Sequence, residues 1–178
     1  MAIPIVVAVC EDDLRRDAAF LKAFAGPAAD LRAIPLGGSL DGKALRLLER
    51  EVAAIQDAGL SAQAVLVHHD ADRSAARRQT RIVELYRGSA LSRGGCPLIL
   101  CIPNPCTERW LATAAGLQHR VRRASPAAGC GPWKAAWTPG KGIDGDRIRA
   151  AAAQARARLR GLPDFDAFFA AWQAAGLS

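Results

Sequence analysis

Residues 3–13 read IPIVVAVCEDD, an apolar run that ends in consecutive acids. The run Ile3–Val9 is rich in β-branched side chains and shows no polar alternation, which is typical of a strand buried on both faces of a parallel sheet. The residues that follow place Leu14, Ala18 and Leu21 at helical spacing. A buried strand that leads into an amphipathic helix predicts an α/β domain that begins with its first parallel strand.

The same alternation of strand and helix patterns continues to residue 102. Apolar runs predict three more strands, at Leu31–Leu36, Ala64–His68 and Pro97–Ile102. Amphipathic stretches between them predict helices over residues 41–58 and 74–86. We therefore expect a single α/β domain with a mainly parallel sheet of about four strands, covered by helices on both faces.

A different pattern occupies the rest of the chain. It predicts a short helix over Thr107–Ala115, a basic segment punctuated by Gly and Pro over residues 116–143, and helices over residues 145–160 and Phe165–Ala175. The aromatic side chains of the last helix recur at helical spacing, which indicates core packing. The predicted organisation is an α/β core of residues 1–115 with a basic helical extension, residues 116–178, packed on the same domain.

Length and composition restrict the class of protein. The chain has 178 residues, of which 51% are hydrophobic and 23% are charged, proportions typical of one globular domain and not of a disordered chain. Its apolar runs are far shorter than the roughly 20 residues of a membrane span. The N-terminus does not resemble a signal peptide, so we expect a cytoplasmic protein with no membrane partner.

The five cysteines, an odd number, fit a chain of reduced thiols. Cys96, Cys101 and Cys106 are spaced by five residues, which is too wide for the cysteine pairs that bind structural zinc. We interpret them as buried or incidental thiols. The remaining two are Cys10 and Cys130.

Charge is divided unevenly along the chain. Residues 1–72 contain 7 basic and 11 acidic side chains, whereas residues 73–178 contain 17 basic and 6 acidic ones. An acidic half suits a divalent metal, and an arginine-rich half attracts the phosphates of nucleic acid without regard to sequence. A solvated basic surface without such a partner is the alternative.

The acids fall where an α/β sheet places its functional site. Glu11 follows the first predicted strand, and Asp70 and Asp72 follow the third. The carboxyl ends of parallel strands share one edge of the sheet, so three carboxylates there predict a site for Mg²⁺ or Mn²⁺. Each acid can instead cap a helix. His68 and His69 lie beside the aspartates, and because neighbours on a strand point to opposite faces, only one of the two can address the site, His69 being the candidate ligand or base.

Several segments, in order, resemble the Toprim domain of topoisomerases, primases and related nucleases. Two are strands that end in acids, residues 6–11 (VVAVCE) and residues 65–72 (VLVHHDAD). The segment 105–111 (PCTERWL) is similar to the P-x-x-E-x-W-L signature of small stand-alone Toprim proteins, the RloB and OLD-nuclease-like group. The stretches 133–134 (WK) and 140–142 (GKG) resemble the C-terminal lysine motif of that group.

The resemblance implies a metal-dependent nucleic-acid phosphodiesterase on a Toprim-like, Rossmann-like fold. Glu11 would bind metal or move a proton. Asp70 and Asp72 would bind metal, and Glu108 would complete the acidic cluster. Proteins of this group often act in bacterial defence beside an ATPase, and because this chain has no G-x-x-x-x-G-K-[ST] motif, a separately encoded ATPase would be the partner.

Basic residues of the second half would meet the nucleic acid. The resemblance implies that Lys134 or Lys141 stabilises charge on the scissile phosphate. We expect a cluster of three arginines to follow the nucleic-acid backbone, DNA being favoured over RNA. These are Arg120, Arg122 and Arg123.

The chain departs from the family pattern after its first acid. Relatives usually follow that Glu with Gly and carry another acid a few positions on, whereas here Asp12 follows and position 15 is Arg. Asp13 or Asp17 would have to replace the missing acid. The departure leaves open a module that keeps the fold and binds nucleic acid or a partner without catalysis.

A receiver-like signalling domain, with Asp70 as the phosphoacceptor, is the remaining alternative. The acids after the first predicted strand resemble the acidic pocket that follows a receiver's first strand; they are Glu11, Asp12 and Asp13. The separation of Glu11 and Asp70 is longer than such domains usually have. In addition, no Thr or Ser ends the fourth predicted strand and no Lys-Pro follows a fifth.

Overall fold

Four parallel strands form the centre of the structure, a computed structural model that describes residues 2–11, 14–36, 43–71, 75–121, 129–137 and 144–177. The strands are Ile5–Cys10 (β1), Asp30–Pro35 (β2), Ala62–His68 (β3) and Leu98–Cys101 (β4). Their order across the sheet is β2-β1-β3-β4, and every neighbouring pair is parallel. The predicted α/β class with a four-stranded parallel sheet is confirmed.

Eight α-helices lie within the described residues. They are Ala19–Ala25 (α1), Lys43–Asp57 (α2), Ala75–Arg87 (α3), Ala90–Arg93 (α4), Thr107–Ala114 (α5), Gly131–Trp137 (α6), Gly145–Arg158 (α7) and Pro163–Ala174 (α8). A π-helical turn, Leu14–Ala18, leads into α1. A 3-10 turn at Gly26–Ala28 ends that helix at the Gly-Pro pair. Beyond α2, Gly59 turns the chain with a φ of +74°, a left-handed conformation that favours glycine.

Side chains of β1 alternate between two cores because successive residues of a strand point to opposite faces. Val6, Ala8 and Cys10 face the larger core, which α1, α5, α7 and α8 cover. Val7 and Val9 face the smaller core, under α2 and α3. All five side chains are fully buried, so β1 is covered on both faces, as its unbroken apolar sequence predicts.

Aromatic side chains join the last helix to the start of the chain. Phe24 of α1 packs edge-on against Phe165 and Trp172 of α8, with ring centroids 6.0 and 5.5 Å apart. Trp110 of α5 meets Phe165 in the same arrangement at 5.2 Å. Such ring pairs add about 0.5–1.5 kcal/mol each beyond the burial of their area. The last helix therefore shares the larger core with the sheet, as its aromatic spacing predicts.

Two helices depart from the sequence prediction. The basic segment 116–143, predicted without helices, contains α6 and a 3-10 turn at Gln118–Val121. In α6 the proline of Gly131-Pro132 lies in the first turn, where an N–H has no intrahelical partner, so it starts a helix rather than interrupting one. Ala136 and Trp137 then bury α6 against the rest of the protein. The four-residue α4 is the second departure.

The first strand begins later than its apolar run. Pro4 has no N–H to pair with a neighbouring strand, although its carbonyl accepts the N–H of Asp30 at 2.9 Å. At the other end the N–H of Glu11 still donates to the carbonyl of His68 at 3.1 Å. Pairing that continues to this point brings Glu11 beside the end of β3.

Candidate functional site

The carboxyl ends of β1 and β3 bring two of the predicted acids together. Glu11 is the first residue after β1, and Asp70 lies two residues after β3. The backbone N–H of Asp70 donates to Glu11 Oε2 at 3.0 Å. This contact lies at the edge of the sheet where α/β proteins bind their ligands.

The neighbours of Glu11 stabilise its negative charge. His69 Nδ1 lies 2.8 Å from Glu11 Oε2, and Arg78 Nη1 lies 4.0 Å from Oε1. Partial burial by itself raises the pKa of Glu11, but His69, the Asp70 N–H and Arg78 outweigh it, and the pKa lies below its usual value. The Glu11 side chain is 30% exposed, so it is an ionised carboxylate within reach of solvent.

Asp70 is held by the start of α5. The backbone N–H and the hydroxyl of Thr107 both donate to Asp70 Oδ1, at 2.8 and 2.9 Å. Asp70 therefore accepts from a backbone N–H at the N-terminus of α5, which has no partner within that helix. Burial raises the pKa of Asp70, and the charge of Asp17 adds to this. His68 and Thr107 offset only part of the shift, so the protein stabilises this carboxylate incompletely.

Arg16 joins two buried acids beside the same edge. Its Nε lies 2.8 Å from Asp17 Oδ1, and its Nη1 lies 2.5 Å from Glu108 Oε1. Burial by itself raises the pKa of Asp17, but His68 and Arg16 outweigh it, and the pKa lies below its usual value. Asp17 and Glu108 are 1% and 2% exposed. Arg16 supplies the opposite charge that buried carboxylates require.

His68 and Thr107 connect the two acidic groups. Thr107 Oγ1 lies 2.9 Å from His68 Nε2, and its one hydroxyl proton is donated to Asp70. In the contact between His68 and Thr107, Nε2 of His68 is therefore the donor and the Thr107 oxygen is the acceptor. His68 Nδ1 lies 3.6 Å from Asp17 Oδ2. A continuous path of polar side chains thus runs from Asp17 to Asp70, while His69 lies on the other side against Glu11.

Glu108 retains one oxygen without a hydrogen bond. Its Oε2 is buried and has no hydrogen-bond partner among the described residues. A buried, unsatisfied polar atom costs about 1–3 kcal/mol, so it marks a position where a ligand, a proton or water can bind. Burial by itself lowers the pKa of Lys134, but the nearby charge of Glu108 outweighs it and raises that pKa. Lys134 is therefore a cation within electrostatic range of this carboxylate.

One group of side chains in the described ranges has the spacing of a metal site. Asp70, Cys106 and Cys130 each offer one ligand atom, and these atoms lie within 4.8 Å of one another. Cys106 is buried, and the other two are half-buried. The structure therefore contains a candidate metal-binding site.

The predicted metal ligands relate to this group in different ways. Asp70 belongs to it, whereas Glu11 and Glu108 do not. Glu11 lies beside Asp70 through the backbone contact, and Glu108 is anchored by Arg16. Asp72 lies outside the described residues. Two cysteines, rather than further carboxylates, are thus clustered with Asp70 in the part of the chain that the structure describes.

Two of the predicted basic residues lie in the described part of the chain. Lys134 is exposed on α6, and Arg120 is exposed on the 3-10 turn Gln118–Val121. The predictions for Arg122, Arg123 and Lys141 fall outside the described residues. Lys134 is related to the acidic edge through the charge of Glu108.

Sequence patterns do not identify Arg16, Thr107 and Cys130 as parts of the site. Arg16 meets Glu108 across 92 positions of the chain, and Cys130 lies within the long basic segment 116–143. No local sequence pattern predicts contacts between residues so far apart in the chain. For Thr107 a signal exists, because a threonine in the first position of a predicted helix has a backbone N–H without an intrahelical partner.

Comparison of the chain with protein-family models, with curated proteins and with solved structures gave no match in any of the three. The chemistry of the site therefore rests on its own residues. None of the described helices combines the length and the apolar character needed to cross a membrane.

Proposed function

We propose that the protein is a metal-dependent phosphodiesterase that acts on nucleic acid, DNA in preference to RNA. The observation that carries this proposal is the contact between Asp70 and Glu11 at the carboxyl edge of a parallel sheet. Asp70 is half-buried there with a pKa above its usual value. A cation that binds beside such a carboxylate stabilises its ionised form.

The donor atoms at this edge fit a hard divalent cation. Asp70 and Glu11 would hold Mg²⁺ or Mn²⁺, with Asp72 as a further ligand and Glu108 completing the acidic cluster. Such cations bind few carboxylates and keep several waters, and the unpaired Oε2 of Glu108 is an acceptor for such a water. When bound, the cation acts as a Lewis acid on the phosphate and lowers the pKa of its water.

The side chains around the edge have distinct roles in the proposal. Glu11 is ionised and 30% exposed, so it can accept a proton from the attacking water. His69, 2.8 Å away, orients its carboxylate. Thr107 orients Asp70 through its N–H and hydroxyl. Lys134, or Lys141, would stabilise negative charge on the phosphate in the transition state.

The basic half would bind the nucleic-acid backbone. Exposed Arg120 begins the arginine cluster of the proposal, which Arg122 and Arg123 complete. A role in bacterial defence beside a separately encoded ATPase rests on the sequence resemblance alone.

Arg16 favours a second candidate, a module of the same fold that binds nucleic acid or a partner without cleaving it. Its guanidinium contacts Asp17 and Glu108, and its charge also acts on Asp70. A cation that the chain itself places among the acids repels a metal cation. The two candidates differ in whether metal-dependent turnover exists.

A cleavage assay separates them. Labelled single- and double-stranded DNA and RNA are incubated with the protein and Mn²⁺ or with a chelator. The variants are Asp70→Asn and a matched control, Asp30→Asn, which changes an exposed acid at the opposite end of the sheet. We expect cleavage by the wild type and the control only with Mn²⁺, and none by Asp70→Asn.

Cleavage that persists in Asp70→Asn would show that the catalytic edge is wrongly assigned. If the wild type binds nucleic acid and cleaves no substrate, the binding module is the correct function.

The salt dependence of binding tests the arginine cluster. Replacing its three arginines with alanine should weaken binding to all sequences and flatten the dependence of affinity on salt by about one unit per lost phosphate contact. The matched control replaces three exposed arginines of α2 and α3, namely Arg46, Arg50 and Arg87. Titrations at several salt concentrations measure both slopes, and equal slopes in the wild type and the cluster variant would contradict this binding path.

A further inference from the structure

We propose that Asp70, Cys106 and Cys130 form a zinc site, a thiolate-bearing position on the side of Asp70 that faces α5 and α6. The three ligand atoms lie within 4.8 Å of one another without any rearrangement. The zinc site shares Asp70 with the hard-cation site of the proposed function, but its two thiol ligands belong to the zinc site alone. Metal binding by the thiols can therefore be measured whether or not the protein cleaves nucleic acid.

The backbone brings the two thiols together from separate helices. Cys106 directly precedes α5, and Cys130 directly precedes α6. The two helices pack against each other, which fixes the distance between their first residues. Tetrahedral zinc with Zn–S bonds of about 2.3 Å holds two sulfurs about 3.8 Å apart. The sulfurs of Cys106 and Cys130, within 4.8 Å of each other, are compatible with that separation.

Glu108 provides a second observation that favours a cation at this position. It lies in the first turn of α5, two residues after Cys106, and is 2% exposed. Its Oε2 has no hydrogen-bond partner among the described residues, and its charge acts on Cys106. A cation held by the two cysteines and Asp70 would attract this oxygen, directly or through a bound water. Three protein ligands with a fourth open position are typical of a reactive rather than a purely structural zinc.

The donor set selects zinc over the hard cations of the acidic edge. Thiolates favour Zn²⁺, whereas Mg²⁺ and Mn²⁺ favour oxygen ligands. On binding, Zn²⁺ replaces the protons of the two thiols, which pass to the solvent. Arg16 and Lys134 offset the negative charge that remains on the site and on Glu108.

Cobalt is the probe for the site because Co²⁺ bound by thiolates gives a charge-transfer absorption band. Reduced, metal-free protein is titrated with Co²⁺ and then with Zn²⁺. The main variant is Cys130→Ser, since Cys130 is half-buried and its replacement disturbs packing less than that of buried Cys106. The matched control is Cys96→Ser, which changes a half-buried cysteine outside the group.

We expect the wild type and Cys96→Ser to bind one Co²⁺ with the thiolate band and to release it to Zn²⁺. Cys130→Ser should lose the band and bind Zn²⁺ at least about tenfold more weakly. Melting curves without metal confirm that both variants fold. Glu11→Gln should keep the band, because Glu11 is not a ligand of this site, whereas it should lose the cleavage expected of the proposed function.

Three results would overturn the zinc site. The first is a reduced wild type without a thiolate band. The second is a Cys130→Ser variant that binds Co²⁺ and Zn²⁺ like the wild type. The third is a protein whose Cys106 and Cys130 form a disulfide in air and whose reduced form binds neither metal.

Discussion

Asp17 and Asp70 lie on either side of His68, yet the protein treats their charges in opposite ways. Asp17 is buried with Arg16 at 2.8 Å, and its pKa lies below the usual value. Asp70 accepts hydrogen bonds from the neutral donors of Thr107, and its pKa lies above the usual value. The chain places a guanidinium against the first acid and neutral donors against the second.

Under the proposed function, the difference separates a structural acid, Asp17, from a metal-binding acid, Asp70. The group of Arg16, Asp17 and Glu108 ties the turn before α1 to the start of α5. The Asp17 carboxylate, paired in this way, has less charge to offer a metal. Asp70 borders both Glu11 and the cysteines and has no such contact with a guanidinium among the hydrogen bonds of the described residues.

The largest expected effect follows from removing the cation of the first group. Arg16→Met leaves Asp17 and Glu108 buried without their opposite charge, so we expect a loss of about 3–5 kcal/mol in the free energy of unfolding. Urea unfolding measures it. Arg16→Lys is the matched variant, and it should lose less because the charge remains while the forked hydrogen bonding is gone. A loss below about 1 kcal/mol in Arg16→Met would show that the acids do not need Arg16.

A smaller loss is expected for Asp17→Asn, about 1–3 kcal/mol at pH 7, because one buried partner of Arg16 loses its charge. The folded pKa of Asp17 lies below the ordinary value of 3.8, so its contribution is present above that pH and is lost as the pH falls through the folded pKa. Unfolding curves of the variant and the wild type should therefore converge in acid. Curves that keep a constant separation down to the lowest accessible pH would contradict this assignment.

Asp70→Asn should show the opposite sign in metal-free protein. Because the folded pKa of Asp70 lies above 3.8, the wild type loses stability as the pH rises from 3.8 through that pKa. The variant lacks this loss, and its amide oxygen can still accept from Thr107. We expect equal stability in acid and a variant up to about 1 kcal/mol more stable at pH 7. Unfolding in the presence of a chelator measures it, and a variant less stable than the wild type at pH 7 would mean that Asp70 is a structural acid like Asp17.

The fold and the position of the site follow from short-range features of the sequence. The β1 strand and residues 64–67 of β3 are uninterrupted apolar runs, which is why their burial on both faces is predictable. The rule for parallel sheets then places Glu11 and Asp70 at one edge. Both predictions need only the sequence of a strand and of the one or two residues that follow it.

Which acids pair with a cation of the chain depends on contacts between residues that are far apart in sequence. Local sequence patterns do not predict such contacts. Arg16 follows a strand in a run of charged residues, and nothing local tells that its partner is Glu108, 92 positions away. Cys130 likewise lies in a segment whose Gly and Pro residues predict irregular structure, and only the packing of α6 on α5 brings it to Cys106. The roles of Asp72 and Lys141 stay predictions, because both lie outside the described residues.

The difference between Asp17 and Asp70 is tested most directly by calorimetric titration of Mn²⁺ into the wild type, Asp70→Asn and Asp17→Asn. If Asp70 is the acid left to recruit a cation, the wild type and Asp17→Asn bind Mn²⁺ and Asp70→Asn does not. Binding that survives in Asp70→Asn and disappears in Asp17→Asn, or a wild type that binds no Mn²⁺, would contradict the account.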